Sequence, residues 1–156
     1  MVDRNLVGRC GLYCGACSIY RAQRDNGEYL KRVAASFKCP PEKVKCEGCM
    51  VLADDSWGHD CEIVQCLRQK GLDFCHQCPE YMHRSCARFE ELAKGYLTDD
   101  KVDIRANLER IKRGEMEKWL HECEAKYRCP SCGKPLSLYS RKFKCYHCGT
   151  DLSSIS

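Results

Sequence analysis

Apolar residues recur with a helical period in the first quarter of the chain and again beyond residue 85. Leu30, Val33, Ala34 and Phe37 fall at i, i+3, i+4 and i+7, which predicts a helix over 28–37 with one face on a core. Residues 18–24 read as a shorter helix before it. Asp25-Asn26-Gly27 is the turn between the two, and Cys39-Pro40-Pro41 is the stop after them. Phe89, Leu92, Ala93 and Tyr96 make a further stripe, closed around Gly95 and Thr98-Asp99-Asp100, with Asp99 or Asp100 capping the next helix. Ile104, Leu108 and Ile111 line that helix. After a break at Gly114 the stripe resumes in a shifted phase with Met116, Trp119, Leu120, Cys123 and Tyr127. Residues 46–86 hold no long apolar element. Near the C-terminal end, Leu136, Leu138, Tyr139 and Phe143 flank Ser140-Arg141-Lys142, which reads as the turn of a short β-hairpin.

Composition changes the picture, because the core these stripes can build is thin. Aromatics are 9% of residues, whereas 16 of 156 are cysteine, a level at which cross-links or metals supply what a hydrophobic core does not. The first ten residues contain no apolar run long enough for a signal peptide, and no later segment approaches a membrane span. A cytoplasmic, reducing setting is therefore expected, where CxxC pairs are metal ligands or redox thiols before they are disulfides. The formal charge of +4 counts every thiol as neutral. Each four-thiolate zinc site carries a net −2, so three of them would bring the chain to about −2 and take most of the force out of its basic pI as a sign of nucleic-acid binding.

The most specific chemistry is Cys129-Pro130-Ser131-Cys132-Gly133 with Cys145-Tyr146-His147-Cys148-Gly149. Two CxxC knuckles twelve residues apart offer Zn²⁺ a closed tetrahedral sulfur cage, and the glycines suit the tight turn after each second cysteine. The spacing reads as a zinc ribbon. Further candidate ligands are Cys10, Cys14, Cys17, Cys46, Cys49, Cys61, Cys66, Cys75, Cys78 and Cys86, enough for two more four-sulfur sites, or about three Zn²⁺ in all. Ordering residues 46–86 costs about 1 to 2 kcal/mol per residue with little apolar surface to bury, and a structural zinc worth on the order of 10 kcal/mol offsets that. Spacing leaves the grouping open. One arrangement keeps Cys46 and Cys49 with Cys61 and Cys66, and draws the other site from Cys10, Cys14, Cys17, Cys75, Cys78 and Cys86. His59 and His76 compete as ligands, while His83, His121 and His147 read as surface residues or as groups behind a ligand. Cys39 and Cys123 read as small core residues.

The alternative for Cys10, Cys14 and Cys17 is an iron–sulfur cluster. Radical S-adenosylmethionine chemistry is disfavoured: β/α barrels need about 200 residues or more, and Ala16 stands where such motifs usually carry an aromatic. The expected fold is thus small, metal-stabilised and mainly α, with irregular cysteine-rich loops and a C-terminal β-hairpin zinc ribbon. Its expected parts are a cysteine-rich domain over 1–97, a helical connector over 98–127 and the ribbon over 128–156.

The order of motifs also carries a resemblance. Cys10-Gly-Leu-Tyr-Cys14-Gly-Ala-Cys17, Cys46-x-Gly-Cys49, Cys61-x-Ile-x-x-Cys66, Lys70-Gly71 and Cys75-x-x-Cys78 resemble, over residues 8–95, the prokaryotic cysteine-rich family called domain of unknown function 3795. Val64 stands where that family tends to carry arginine, and Ser85-Cys86 where it tends to carry Pro-Cys. The resemblance implies a metal-binding prokaryotic protein of unassigned activity, and members similar to this one often end in a helix and a zinc ribbon.

Three functions fit these features to different degrees. The first is an interaction module with structural zinc, whose partner is a protein or a nucleic acid. For the latter, Arg141, Lys142 and Lys144 interleave with Tyr139, Phe143 and Tyr146. The second is an iron–sulfur or thiol redox protein using the CxxxCxxC cluster. Catalysis is otherwise disfavoured, since no nucleophile, base and orienting acid assemble and no phosphate-cradling glycine loop is present. Metal storage fits worst, because amphipathic helices need a fixed core.

Overall fold

Helices α1 (Ser18–Asp25) and α2 (Gly27–Ser36) meet at Asn26. Its backbone enters the left-handed region at φ 53°, and its side chain accepts from the Gly27 N–H at 2.8 Å. The Asn-Gly pair is therefore the break the sequence predicts. Val33 and Ala34 are buried with Tyr29, Ile19, Ala22 and Val44 in a small core. Phe37 differs from expectation: it lies just past the end of α2, half exposed, with its ring against Trp57 at 4.8 Å.

The computed structural model describes residues 2–155 and continues through α3 (Glu62–Lys70), α4 (Pro79–Met82), α5 (Ala87–Asp100), α6 (Ile104–Lys112), α7 (Met116–Lys126) and α8 (Leu138–Lys142), joined by loops and short 3₁₀ turns. Helix α5 runs through Gly95, where a side chain would meet nothing, and stops at Lys101 in the left-handed region. The cap of α6 is accordingly Asp103, which accepts from the Ala106 N–H at 2.9 Å, rather than Asp99 or Asp100. Gly114, at φ 86°, separates α6 from α7 as predicted.

Phe89, Ile104, Leu108, Trp119 and Leu120 are buried in one core with Val7, Ala16, Ile63 and Leu67. The helices of residues 98–127 thus share their apolar faces with the cysteine-rich segment. Gly11 is central to this packing. It sits at φ 93°, and a Cβ there would stand 2.3 Å from the Ile104 carbonyl oxygen, so the chain passes against the start of α6 at backbone distance. The Gly11 carbonyl in turn accepts from Asn107 Nδ2 at 2.9 Å.

The C-terminal hairpin is corrected by the structure. Among the described residues there is no strand or sheet, only isolated antiparallel bridges at Val7–Tyr13, Arg128–Pro135 and Lys144–Asp151. Ser140, Arg141 and Lys142 belong to α8 instead of a hairpin turn. The reason is local. Ser137 accepts from the Ser140 N–H at 3.1 Å while Ser140 Oγ accepts from the Ser137 N–H at 3.1 Å, a reciprocal cap that starts a helix. The segment also lacks the Asn-Gly or Gly-rich pair that a tight hairpin turn requires. Cys123 is buried on the apolar face of α7 as expected, whereas Cys39 is only partly buried, packed against the edge of the α1–α2 core. Among the described residues, no helix is long and apolar enough to cross a membrane.

Candidate metal centre

Residues 127–137 and 143–153 repeat one pattern at an offset of sixteen: aromatic, cation, Cys-x-x-Cys-Gly, two residues, Leu-Ser. The repeat folds twice in the same way. Gly133 N donates to Cys129 O and Gly149 N to Cys145 O, both at 2.8 Å, with the glycines at φ 71° and 78°. Cys129 N donates to Lys134 O and Cys145 N to Thr150 O, both at 2.9 Å. Leu136 N donates to Tyr127 O and Leu152 N to Phe143 O, both at 2.8 Å. Cys129, Cys145, Leu136 and Leu152 are buried together as the core of this unit.

The four sulfurs of Cys129, Cys132, Cys145 and Cys148 lie within 4.8 Å of one another. Cys129 Sγ is 3.7 Å from Cys148 Sγ, and Cys132 Sγ is 3.8 Å from Cys145 Sγ. A tetrahedron with metal–sulfur bonds of about 2.3 Å has edges of about 3.8 Å, so the four cysteines are spaced to hold one metal ion. Their surroundings favour thiolates in part. The Thr150 hydroxyl, 3.1 Å from Cys148 Sγ, and the Thr150 N–H hold the Cys148 thiol below the ordinary range, and the Cys132 and Ser131 N–H groups do the same for Cys129. Burial pushes Cys145 up, so this sulfur depends most on a cation to stay charged.

The residues inside the second knuckle fasten the unit to the rest of the chain. Tyr146 stacks on Tyr29 with ring centroids 3.8 Å apart and planes 5° from parallel, and its hydroxyl donates to Asp25 at the end of α1. His147 Nε2 is 3.0 Å from Pro135 O and 3.6 Å from the Asp25 carboxylate, so it links both knuckles to α1 instead of facing solvent. Tyr29 completes the contact by donating to the buried Ser137 hydroxyl at 2.7 Å. The signal for this site was in the sequence, as the sixteen-residue repeat and as two aromatic-type residues within one CxxC.

The ten other candidate cysteines fall into two neighbourhoods. Cys14 and Cys49 are close enough that their interaction raises the Cys14 thiol, already held neutral by burial, and lowers that of Cys49; Cys17 and Cys46 are raised by burial first and by the nearby Cys49 charge second. Cys10, partly buried, lies near enough to Cys49 and Cys75 to feel their charge. Cys66, Cys75, Cys78 and Cys86 surround a separate small cavity. Cys61, the residue before α3, is exposed and lines a different groove with Asp99 and Asp100. Cys66 thus lines the small cavity and Cys61 the neighbouring groove. Among the described residues only the C-terminal four approach one another within 4.8 Å as a group. His59 Nδ1 is 2.9 Å from Ser56 O, and His76 stacks on Phe74.

Arg9 was missed because nothing local in the sequence marks it. It is buried, and its guanidinium donates to Cys49 O at 3.2 Å, Leu72 O at 3.3 Å and Asp73 O at 3.1 Å, while Arg9 O accepts from Cys75 N at 3.0 Å. One side chain thus ties the first cysteine motif to both later cysteine loops. Arg9→Met is expected to destabilise the chain by about 2 to 3 kcal/mol, since three charge-assisted bonds from a buried guanidinium to part-buried carbonyls are lost and not replaced. Denaturant unfolding of the variant beside the native chain checks this.

Of the basic residues singled out, Arg141 Nε donates to Lys126 O at 3.3 Å and Lys142 Nζ is 2.8 Å from Asp100, so both are held by intramolecular partners. Lys144 borders a groove between α2 and the second knuckle.

Fold and site together define a small helical, cysteine-rich protein with a four-cysteine group spaced for a metal ion. The family described as protein of unknown function (DUF3795) matches residues 6–91, just over half of the chain, and the chain belongs to that family. No curated protein and no solved structure matches it.

Proposed function

We propose that the chain is a zinc-binding protein in which Cys129, Cys132, Cys145 and Cys148 hold a structural ion that locks the C-terminal unit onto α1 and α2. The near-tetrahedral spacing of the four sulfurs carries this reading. All four donors are thiolates, the set that favours zinc in closed, non-catalytic sites. Metal analysis and an absorption spectrum on chain purified without air are the test. One zinc fewer per chain in Cys129→Ser than in the native chain supports the reading. A metal-free chain, or coloured iron lost in Cys129→Ser, overturns it.

One observation favours a particular task for the locked surface. The groove between α2 and the second knuckle, about 780 Å³, is lined by Arg32 and Lys144 and by no carboxylate, and Phe37, Tyr139 and Phe143 stand half exposed or more along it. Aromatic faces with cations and no acid suit a single-stranded nucleic acid, whose bases stack and whose phosphates pair. The sulfur cage borders the groove at Cys145 and adds negative charge, so stacking has to supply most of the affinity. Phe143→Ala is expected to weaken binding of a labelled single-stranded oligonucleotide by about 1 to 3 kcal/mol. With two cations in contact, log K should fall with log salt at a slope of about −1.4. No binding, or binding indifferent to Phe143 and salt, would refute the nucleic-acid reading in favour of a protein partner.

A further inference from the structure

We propose that Cys66, Cys75, Cys78 and Cys86 form a second metal site, separate from the C-terminal knuckles, which takes one thiophilic divalent ion such as Zn²⁺. Four elements deliver these sulfurs to one place. Cys66 lies on α3, Cys75 opens a 3₁₀ turn, Cys78 precedes α4 and Cys86 precedes α5. Together they line a cavity of about 20 Å³. A cavity of roughly 10 to 15 Å³ already accepts one water-sized sphere, so this one has room for a single ion and not for a multi-iron cluster. The remaining walls include Leu67 and Phe89, both almost fully buried, so an ion here is shielded from water.

The charges around the cavity suit a four-thiolate cage. Lys70 and Arg88 line it, and Lys70 Nζ donates to Cys78 Sγ at 3.2 Å. A cage of net −2 faces these two cations, which also touch Glu80 at 3.3 Å and Glu62 at 2.9 Å on their outer sides. The Glu80 and Tyr81 N–H groups at the start of α4 also turn toward the Cys78 sulfur. No three of these sulfurs lie within 4.8 Å of one another, so loading has to draw them closer together than the C-terminal four already stand.

Such an ion would join α3, α4 and α5 across the segment poorest in apolar residues. Cys61 is excluded from the site and serves as its control. The test is the metal content of the full chain, native and as Cys66→Ser, Cys86→Ser, Cys61→Ser and Cys129→Ser. Cys66→Ser and Cys86→Ser should each hold one zinc fewer than the native chain, Cys61→Ser the same number, and Cys66→Ser/Cys129→Ser two fewer. In the cadmium-loaded chain, ¹¹³Cd NMR should lose one four-thiolate resonance in Cys66→Ser while keeping the resonance that depends on Cys129, which general unfolding would not do. Full metal content in Cys66→Ser, an equal loss in Cys61→Ser, or an iron–sulfur absorption band that depends on Cys66 would overturn the second site. A metal content undiminished in Cys129→Ser would instead defeat the C-terminal reading and leave this one standing.

Discussion

Cys145→Ser is expected to release one metal ion and free residues 128–155 from the rest of the chain, while α3 to α7 stay folded. The unit's own core is two leucines and two cysteines. Burying two leucines contributes about 3 to 6 kcal/mol, whereas ordering some two dozen residues costs about 1 to 2 kcal/mol each, so apolar burial alone leaves the unit unfolded. A structural zinc contributes on the order of 10 kcal/mol or more, enough to decide the balance together with docking. The core around Phe89, Ile104 and Leu120 contains none of residues 128–155 among its buried members, which is why it should survive. Metal analysis and limited proteolysis check both halves of this expectation. Cys145→Ser that keeps its metal, or that unfolds throughout, would contradict it. Acidification should mimic the substitution. A bound metal would hold the four thiols far below their unfolded value of about 8.5, so its stabilisation would be complete above that value and lost as pH falls through the metal-bound range. Zinc release followed with a colorimetric chelator should therefore rise toward acid pH and not toward alkaline pH.

Gly11→Ala should have the second largest effect, about 2 to 6 kcal/mol. Two causes add. The residue's φ of 93° strains any side chain by about 1 to 3 kcal/mol. The new Cβ would also stand 2.3 Å from the Ile104 carbonyl, a backbone atom that yields only if α6 moves, which adds an overpacking cost of about 1 to 3 kcal/mol. Moving α6 would strain the Asn107–Gly11 hydrogen bond and the packing of Leu108, a fully buried residue. Gly27→Ala, equally at positive φ but with open space around it, separates the two causes and should lose only the smaller amount. Thermal unfolding of both variants checks the difference; equal losses would mean that the close approach to α6 carries no weight.

Much of the helical part was legible because its signals are local. The Leu108 and Trp119 stripes, the break at Gly114 and the Asn26 turn follow from residues within a few positions of each other. The C-terminal hairpin was misread because a serine cap at Ser137 outweighs the alternation of Leu138, Tyr139 and Phe143. The sixteen-residue repeat around the knuckles was equally local, and it alone would have predicted two equivalent half-sites. Arg9 and the division of the sulfurs were not legible. A buried guanidinium becomes necessary only when carbonyls from residues 49, 72 and 73 converge, and no spacing along the chain encodes that convergence. In the same way, Cys66 joins Cys75, Cys78 and Cys86 through the direction in which α3 presents it. Cys61, nearer to Cys46 and Cys49 in sequence, lines the groove beside Asp99 and Asp100.

The central claim is that a metal held by the two knuckles docks the C-terminal unit through Tyr146 and His147 onto Asp25 and Tyr29. Amide hydrogen exchange of the native chain beside Cys145→Ser tests it most directly. Loss of protection across 128–155 and around Tyr29, with 104–126 unchanged, is the expected result. Unchanged protection at Leu136 and Leu152 in the variant would show that the unit holds its fold and its place without the metal.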